Sequence, residues 1–358
     1  MSIISLFLLY AASFPSLAQY DLDSLYENDP EFKIHFDSIR DTFSIFDNDE
    51  SLRIVLKSDF KNLNKKKYDR EYQEAEMQVH IFDSLVATRT IKIQPRGNNR
   101  LTTCYYPPLK VNFKKGDMLI NQLKEFDKIK LVKPCKNGVI YEDFLENEYL
   151  IYKVYQILEP DYSYRVRKLE VTYIDTSGKI KTKTAPSFVI ENDKQLAKRT
   201  NSIPIEVKGL NYDYIDRKRA DVMSVFQFMI GNTDWSLAGL HNMILLKDTD
   251  PNKDLVVAVP YDFDYSGIVN TGYAVPNEKL GIETVRERLY RGFCGEEGDI
   301  KSAVELVYSR KEEILSLYSN FQFSRESYKQ GALKYLNEFF TIAGNERLAK
   351  TNIISRCR

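Results

Sequence analysis

The chain has 358 residues, of which 43% are hydrophobic and 28% are charged, a balance typical of a globular protein and unlike that of a disordered or fibrous one. Lysine plus arginine equals aspartate plus glutamate at 51 each, so the formal net charge is zero. This balance gives no support for a nucleic-acid partner, which requires a basic excess on some face.

The N-terminus carries the pattern of an export signal. Residues 3–14 form a mostly apolar run, and the small residues Ser16 and Ala18 come just before Gln19. A signal peptide over residues 1–18 is therefore predicted, although no Lys or Arg precedes the run. The run is shorter than the roughly 20 apolar residues that cross a bilayer, so no membrane span is expected. The alternative interpretation is a buried first helix. Export predicts a location in the periplasm, the cell envelope or the extracellular space.

The cysteines are consistent with an oxidising compartment. Cys104, Cys135, Cys294 and Cys357 contain no CxxC pair, so a zinc site is disfavoured. An even number in an exported protein indicates disulfides, and three pairings exist. We favour Cys104–Cys135, with Cys294–Cys357 following by elimination. Without export, four buried thiols are the better interpretation.

The first half of the chain is predicted to be rich in strands. Residues 19–73 are interpreted as an N-terminal extension with a helix over residues 30–46, capped by Asp29. Beyond it, alternating apolar and polar residues predict half-buried strands, and one segment has helical spacing. The predicted strands cover residues 76–82, 88–94, 109–113, 128–132, 167–174 and 187–190, and the predicted helix covers residues 141–158.

The second half is predicted to be mainly helical. A buried helix over residues 216–230 ends at Gly231, and short strands over residues 243–246 and 255–259 form a hairpin. Further helices are predicted over residues 278–318 and 324–350. A β-rich lobe with one helix, followed by a helical lobe that starts with a small hairpin, is the layout of a protein kinase. We therefore predict an α+β, atypical kinase-like two-lobed fold, with an N-lobe over residues 74–190 and a helical C-lobe over residues 191–358.

Three oxygen-bearing side chains follow this layout in order. Asp234 lies in the loop after the buried helix, Asn242 precedes the hairpin, and Asp262 follows it. Phosphoryl transfer needs a carboxylate near the acceptor hydroxyl and oxygen ligands for Mg²⁺, so this order fits a phosphotransferase. Each residue alone is equally a cap or turn residue. His241 is a second candidate base, for which a structural role is favoured. No GxSxG or HExxH motif supports a hydrolase.

A nucleotide site also requires a cation for the phosphates, anchored by a helix carboxylate. Lys130 lies in a predicted strand and Glu148 in the following helix, 148 − 130 = 18 residues later. Lys110 is the competing lysine. The turn Arg96-Gly97-Asn98 is interpreted either as a cover for phosphates or as a plain hairpin turn.

From about Glu74 to Cys294 the chain resembles the CotH (spore-coat protein H) kinase-like family, especially a branch of exported bacterial proteins. The resemblance rests on sequence segments in both halves. They are PRGNNR (95–100), CYYPPLKVNF (104–113), KLVKPC (130–135), ENEYLIYKVY (146–155), SFVIENDKQLAKR (187–199), IGNTDWS (230–236), HN (241–242), PYDFDYSG (260–267) and RLYRGFC (288–294).

The resemblance implies an atypical secretory-type kinase that uses ATP and Mg²⁺ or Mn²⁺ to phosphorylate exported or envelope proteins. By position, Asp234 would be the catalytic-loop carboxylate, Asn242 and Asp262 metal ligands, and Asp264 a second ligand. Two features depart from the usual pattern: Asn242 follows Asp234 by 242 − 234 = 8 residues instead of about five, and DFD replaces DFG.

Two alternatives to an active kinase stay open. One is a pseudokinase or envelope assembly protein that keeps the fold without transferring phosphate. The other is a surface interaction protein whose aromatic residues, including Tyr105 and Tyr106, contact a glycan or a protein.

Overall fold

The computed structural model describes residues 22–39, 44–114, 127–295 and 297–357, so the predicted signal peptide over residues 1–18 lies outside the described part of the chain. The fold combines helices and strands, in agreement with the predicted α+β class. It divides into two compact units. Unit 1 extends to Cys135 and also contains Arg167–Ile190, and unit 2 contains Lys136–Val166 and Glu191–Arg358.

Unit 1 is built around a closed barrel of seven strands in the order β1-β2-β3-β4-β5-β7-β6. Strand β1 pairs with β2 in antiparallel fashion and with β6 in parallel fashion. Among the described strands of the barrel, closure leaves no edge strand. The strands are β1 (Leu52–Ser58), β2 (Gln73–Ile81), β3 (Ser84–Pro95), β4 (Leu109–Phe113), β5 (Lys128–Val132), β6 (Val166–Asp175) and β7 (Lys183–Ile190).

Alternation along the strands produces the barrel core. In β5, Ile129 and Leu131 line a small interior cavity of about 40 Å³, while Lys128 and Lys130 are half-buried on the other face. The sequence LRIVLKS of β1 alternates in the same way, with Ile54 and Leu56 buried. The interpretation of residues 19–73 as an extension therefore differs from the structure, because this segment supplies a barrel strand.

Short helices accompany the barrel: α1 (Leu22–Asn28), α2 (Pro30–Ser38), α3 (Phe60–Lys65) and α4 (Asn99–Thr103). Oδ1 of Asp29 accepts the backbone N–H of Phe32 at 3.0 Å, which confirms the predicted cap. The helix is shorter than the predicted range 30–46. It ends at Ser38, and Ser44–Phe46 is a separate 3₁₀ turn.

Buried Arg167 of β6 holds the chain around this turn. Its guanidinium donates to Oγ of Ser38 at 2.6 Å, to the carbonyl of Ile45 at 3.0 Å and to the carbonyl of Glu50 at 2.9 Å. Ser38 ends α2 and the other two acceptors follow it, so the chain that leaves the helix is attached to a barrel strand far away in the sequence.

Unit 2 contains a three-stranded sheet in the order β10-β9-β8 together with helices. The strands are β8 (Ser202–Ile205), β9 (Met243–Asp248) and β10 (Val256–Pro260). The helices are α5 (Val139–Leu158), α6 (Asp193–Arg199), α7 (Arg217–Ile230), α8 (Glu297–Ser309), α9 (Lys311–Asn320), α10 (Glu326–Ala343) and α11 (Glu346–Asn352). The predicted N-lobe over residues 74–190 included the helix that the structure assigns to unit 2 as α5.

The predicted helix over residues 278–318 is wrong in its first part. A 3₁₀ turn covers Glu278–Leu280, and α8 begins only at Glu297. Arginines of the intervening segment donate instead to backbone carbonyls of other segments: Arg286 to Gly267 at 3.0 Å, and Arg288 to Met229 at 3.3 Å. These tertiary contacts compete with local helix formation.

Both predicted disulfides are present. Cys104 pairs with Cys135 in unit 1, and Cys294 pairs with Cys357 in unit 2. Of the helices in the described ranges, none has both the length and the apolar character that crossing a bilayer requires.

Candidate functional site

The β9–β10 hairpin brings two predicted site residues to the same end of the sheet. Met243 at the start of β9 pairs with Pro260 at the end of β10. One step further, the N–H of Tyr261 donates to the carbonyl of Asn242 at 3.0 Å. Asp262 follows Tyr261, so antiparallel pairing brings residue 262 to the same end of the hairpin as residue 242 although 20 positions separate them (262 − 242).

Helix α7 positions the loop that carries Asp234. The helix ends at Gly231, which has a left-handed φ of 65° and closes the last turn. Buried Asn232 follows, and its Nδ2 donates to Oε1 of Gln227 at 2.9 Å. Its Oδ1 accepts the N–H of Asp234 at 3.0 Å. Asn232 therefore attaches Asp234 to the final turn of α7, a contact that the sequence analysis missed.

Asn242 contacts Asp234 directly. Its Nδ2 donates to the backbone carbonyl of Asp234 at 2.8 Å and to Oδ2 at 3.0 Å. In the chain between Asp234 and Asn242, the residues Ser236 and His241 exchange two backbone hydrogen bonds of 3.1 and 2.9 Å. The four residues from 237 to 240 form a tight turn, which takes up the extra length of the loop. The eight-residue spacing thus still places Asn242 against Asp234.

His241 lies at the exposed side of this pair. Its Nε2 is 2.9 Å from Oδ1 of Asp234, and its side chain is 58% exposed. The carboxylate of Asp234 is therefore contacted at both oxygens, by the imidazole at Oδ1 and by the amide at Oδ2. This arrangement fixes the orientation of the carboxylate.

The backbone is strained at both hairpin residues of the site. Asn242 has a φ of 54° and Asp262 a φ of 63°. Asn and Asp adopt this left-handed region more readily than most residues, but it still costs of the order of 1 kcal/mol. The N–H of Asp262 donates to Oη of Tyr152 on α5 at 3.0 Å, which helps to hold the conformation.

Arg291 holds the loop from its other side. Its Nη1 donates to the carbonyl of Thr233 at 2.5 Å and to the carbonyl of Trp235 at 2.6 Å. These carbonyls flank Asp234 in the chain. Arg291 lies in the segment that was predicted to be helical, and nothing local in the sequence indicated this role.

Asp264 has a different environment from the other three residues. It is only 5% exposed, its Oδ2 accepts the hydroxyl of Tyr273 at 2.9 Å, and its carbonyl accepts the hydroxyl of Thr271 at 3.1 Å. These contacts hold the loop over residues 264–273. A role as second metal ligand stays a prediction.

The donor types at the hairpin end suit a hard divalent cation. Asp234 and Asp262 provide carboxylate oxygens and Asn242 provides an amide oxygen, and oxygen ligands of these types are the ones that Mg²⁺ and Mn²⁺ prefer. Because Nδ2 of Asn242 faces two acceptors, Oδ1 is the atom of this amide that remains for a cation. In the part of the chain that the structure describes, no group of three or more His, Cys, Asp or Glu side chains is arranged to hold a metal ion. An ion here would therefore need Asn242 and ligands from outside the chain.

The predicted phosphate lysines lie in unit 1. Lys110 of β4 and Lys130 of β5 are directly opposite each other in the antiparallel register. Both are half-buried, on the face opposite to the barrel core. Glu148 is 3% exposed and belongs to α5 of unit 2. The pairing of a lysine with Glu148 stays a prediction.

The turn over residues 96–98 has a partner within unit 1. Gly97 has a φ of 94°, a conformation that favours glycine. Nη2 of Arg70 donates to the carbonyl of Gly97 at 3.0 Å and to Oδ1 of Asn98 at 2.9 Å. The N–H of Arg96 donates to the carbonyl of Pro108 at 2.9 Å. These contacts explain the shape of the turn, and coverage of phosphates stays a prediction.

Tyr105 and Tyr106, the candidates for surface recognition, contact each other edge to face with ring centroids 4.6 Å apart. Tyr105 is 51% exposed.

A comparison with known protein families and a search of curated proteins gave no match. The resemblance to the CotH kinase-like family therefore stays a prediction that rests on the sequence motifs.

Proposed function

We propose that this chain is an atypical, exported protein kinase with a kinase-like fold. It transfers phosphate from ATP to a hydroxyl group of an exported or envelope protein and requires Mg²⁺ or Mn²⁺. The observation that carries this proposal is the contact of the Asn242 amide with Asp234 at the hairpin end where Asp262 also lies. The order of these residues and their local contacts meet the needs of phosphoryl transfer.

Each residue has a role in this proposal. Asp234 orients the acceptor hydroxyl and receives its proton, and its carboxylate is already oriented by Asn242 and His241. Oδ1 of Asn242 and the carboxylate of Asp262 hold the divalent ion, with Asp264 as a further candidate. When bound, the ion neutralises charge on the phosphates of ATP.

The nucleotide contacts in this proposal follow from the sequence motifs. Lys130 or Lys110 contacts the phosphates, Glu148 positions that lysine, and the turn Arg96-Gly97-Asn98 covers the nucleotide.

The proposed export is supported by the two disulfides, which are characteristic of oxidising compartments.

Transfer of labelled γ-phosphate from ATP in the presence of Mn²⁺ tests the proposal. We expect Asp262→Ala to abolish transfer while the protein stays folded. Asp254→Ala is the matched control, because Asp254 lies in the same hairpin and its side chain is 85% exposed. Equal transfer by wild type and Asp262→Ala would contradict the proposed role of Asp262.

A pseudokinase is the second candidate. Both carboxylate oxygens of Asp234 already accept hydrogen bonds, so a substrate hydroxyl must compete for the remaining lone pairs. Thermal unfolding with ATP and Mn²⁺ separates the two candidates. A ligand at 100 times its Kd stabilises the folded state by about 2.7 kcal/mol. Stabilisation without label transfer indicates a pseudokinase, and no stabilisation indicates a binding protein without a nucleotide site.

A further inference from the structure

Lys133 occupies an unusual position at one end of the barrel of unit 1. It follows β5, in which Ile129 and Leu131 face the interior, and continues the same alternation. Although lysine is normally exposed, Lys133 is only 8% exposed. Its side chain is thus directed into the protein and not into solvent.

Aromatic rings surround the amine. Nζ of Lys133 lies 4.0 Å from the ring centroid of Tyr173, 4.9 Å from that of Tyr106 and 5.2 Å from that of Phe60. The hydroxyls of Tyr173 and Ser187 are hydrogen-bonded to each other at 2.8 Å. Burial raises the pKa of Tyr173, so this phenol stays neutral.

The charge around Lys133 is not balanced. Within the described ranges, Nζ of Lys133 has no ion-pair or hydrogen-bond partner. The charged group that acts on it electrostatically is the ammonium of Lys183 on β7, which has the same sign. A buried cation normally has a carboxylate partner, because desolvation without one is costly.

These surroundings favour the neutral amine. Burial, and to a smaller extent the charge of Lys183, lowers the pKa of Lys133 from 10.5 to about 7. The rings oppose this change, because a cation over the face of an aromatic ring is stabilised by the electrons of the ring. With a pKa of about 7, roughly half of the Lys133 side chains are neutral at pH 7, whereas only about one in 3,000 side chains of an ordinary lysine is neutral at this pH.

We propose that Lys133 is a nucleophilic amine that forms an imine with small aldehydes or ketones at the end of the barrel. The nitrogen lone pair attacks the carbonyl carbon, a C–N bond forms, and a proton moves from nitrogen to the carbonyl oxygen. The resulting carbinolamine loses water and forms a C=N bond. Desolvation in an apolar pocket activates lysines in this way. The proposal does not depend on kinase activity.

Reductive methylation of the full chain with formaldehyde and cyanoborohydride tests this site. The rate of modification at each lysine is measured by peptide mass spectrometry between pH 6 and pH 10. Lys92 is the control, because it is an exposed lysine of β3 in the same barrel. At pH 7 we expect Lys133 to react at least about tenfold faster than Lys92, because its larger neutral fraction outweighs its lower basicity and restricted access.

The pH dependence provides the decisive readout. The rate at Lys133 should level off above about pH 7.5, while the rate at Lys92 continues to rise. The ratio of the rate at Lys133 to the rate at Lys92 therefore falls as the pH rises. Lys133→Met should remove the fast-reacting position and leave the rate at Lys92 unchanged. If Lys133 reacts no faster than Lys92 at pH 7, or if its rate still rises up to pH 10, it is a charged side chain held by the rings and the proposal is wrong.

Discussion

The amide of Asn242 joins the backbone and the side chain of Asp234, because its Nδ2 donates to the carbonyl oxygen at 2.8 Å and to Oδ2 at 3.0 Å. Under the proposed kinase function, we expect Asn242→Ala to lower phosphate transfer at least tenfold, since the carboxylate loses its orientation and the proposed ion loses a ligand. The free energy of unfolding should fall by about 1–3 kcal/mol, from the lost hydrogen bond to a charged group and from alanine at positive φ.

The control for this variant is Asn252→Ala. Nδ2 of Asn252 also donates to a carboxylate, that of Asp250 at 3.0 Å, but in the exposed turn of the same hairpin. Its removal should change stability by less than about 0.5 kcal/mol and leave transfer unchanged. Transfer is measured at a temperature at which both variants are folded. Full activity of Asn242→Ala would show that the amide is only structural.

Gly231 is required at the end of α7 for two separate reasons. It has a φ of 65°, and a Cβ at this position would lie 2.0 Å from Oη of Tyr335. We expect Gly231→Ala to destabilise the fold by more than about 2 kcal/mol and to reduce activity by shifting the loop that carries Asp234. Chemical denaturation measures the loss of stability.

Gly281→Ala separates the two effects. Gly281 has a similar φ of 70°, but a Cβ there meets nothing within 4 Å. This variant should therefore show only the conformational cost of about 1 kcal/mol. Adding Tyr335→Phe to Gly231→Ala removes the clashing oxygen and should recover part of the stability. Equal losses at the two glycines would show that the contact with Tyr335 is unimportant.

Asp221 of α7 is predicted to make stability depend on pH. It is fully buried, and burial raises its pKa from 3.8 to about 6, against the opposing effect of the Arg217 charge. The folded state binds the proton of Asp221 more tightly than the unfolded state, so proton binding stabilises the fold. This stabilisation is complete below about pH 4 and is lost as the pH rises through 6, by about 3 kcal/mol in total.

Asp221→Asn removes this dependence. From pH 4 to pH 7, the free energy of unfolding of the variant should therefore rise relative to that of the wild type. Urea denaturation measures both values. Asp254→Asn, at an exposed position, serves as the control. A difference that stays constant over this range would mean that Asp221 does not titrate as described.

Lys110 and Lys130 are directly opposite each other on neighbouring barrel strands. A double-mutant cycle with Lys110→Gln and Lys130→Gln should reveal a repulsive coupling of about 0.2–1 kcal/mol in the free protein. ATP with Mn²⁺ should reduce this coupling if its phosphates neutralise the pair. Lys92→Gln is the control for the loss of a single barrel lysine, because the residue opposite Lys92 on the neighbouring strand is Asn112, which is neutral. Coupling that ATP leaves unchanged would argue against a nucleotide at this position.

Local patterns predicted much of the secondary structure. The strands over residues 109–113 and 128–132 have the predicted bounds, and α7 begins one residue after the predicted start. In α7, Oδ1 of Asp216 accepts the N–H of Arg219 at 3.1 Å and Gly231 ends the helix, as capping rules require. Alternation and caps act between residues close in sequence, so they are readable without a structure.

Long-range pairing was not readable in this way. Strand β1 was missed although its sequence alternates, and its parallel pairing with β6, more than 100 positions later as in the pair Leu52 and Leu169, depends on the tertiary structure. The irregular segment before α8 was predicted as helix because the carbonyls that its arginines contact belong to other elements. Such contacts depend on which segments the folded chain brings together.

The amino-acid sequence by itself determined most of the strands and helices and the order of Asp234, Asn242 and Asp262, because these follow from local periodicity, turn chemistry and residue type. Only the tertiary structure decided that the turn between Ser236 and His241 lets an eight-residue spacing bring Asn242 onto Asp234, and that Lys133 is buried among rings. The physical reason is that hydrogen-bond geometry and desolvation depend on neighbours that are distant in the chain.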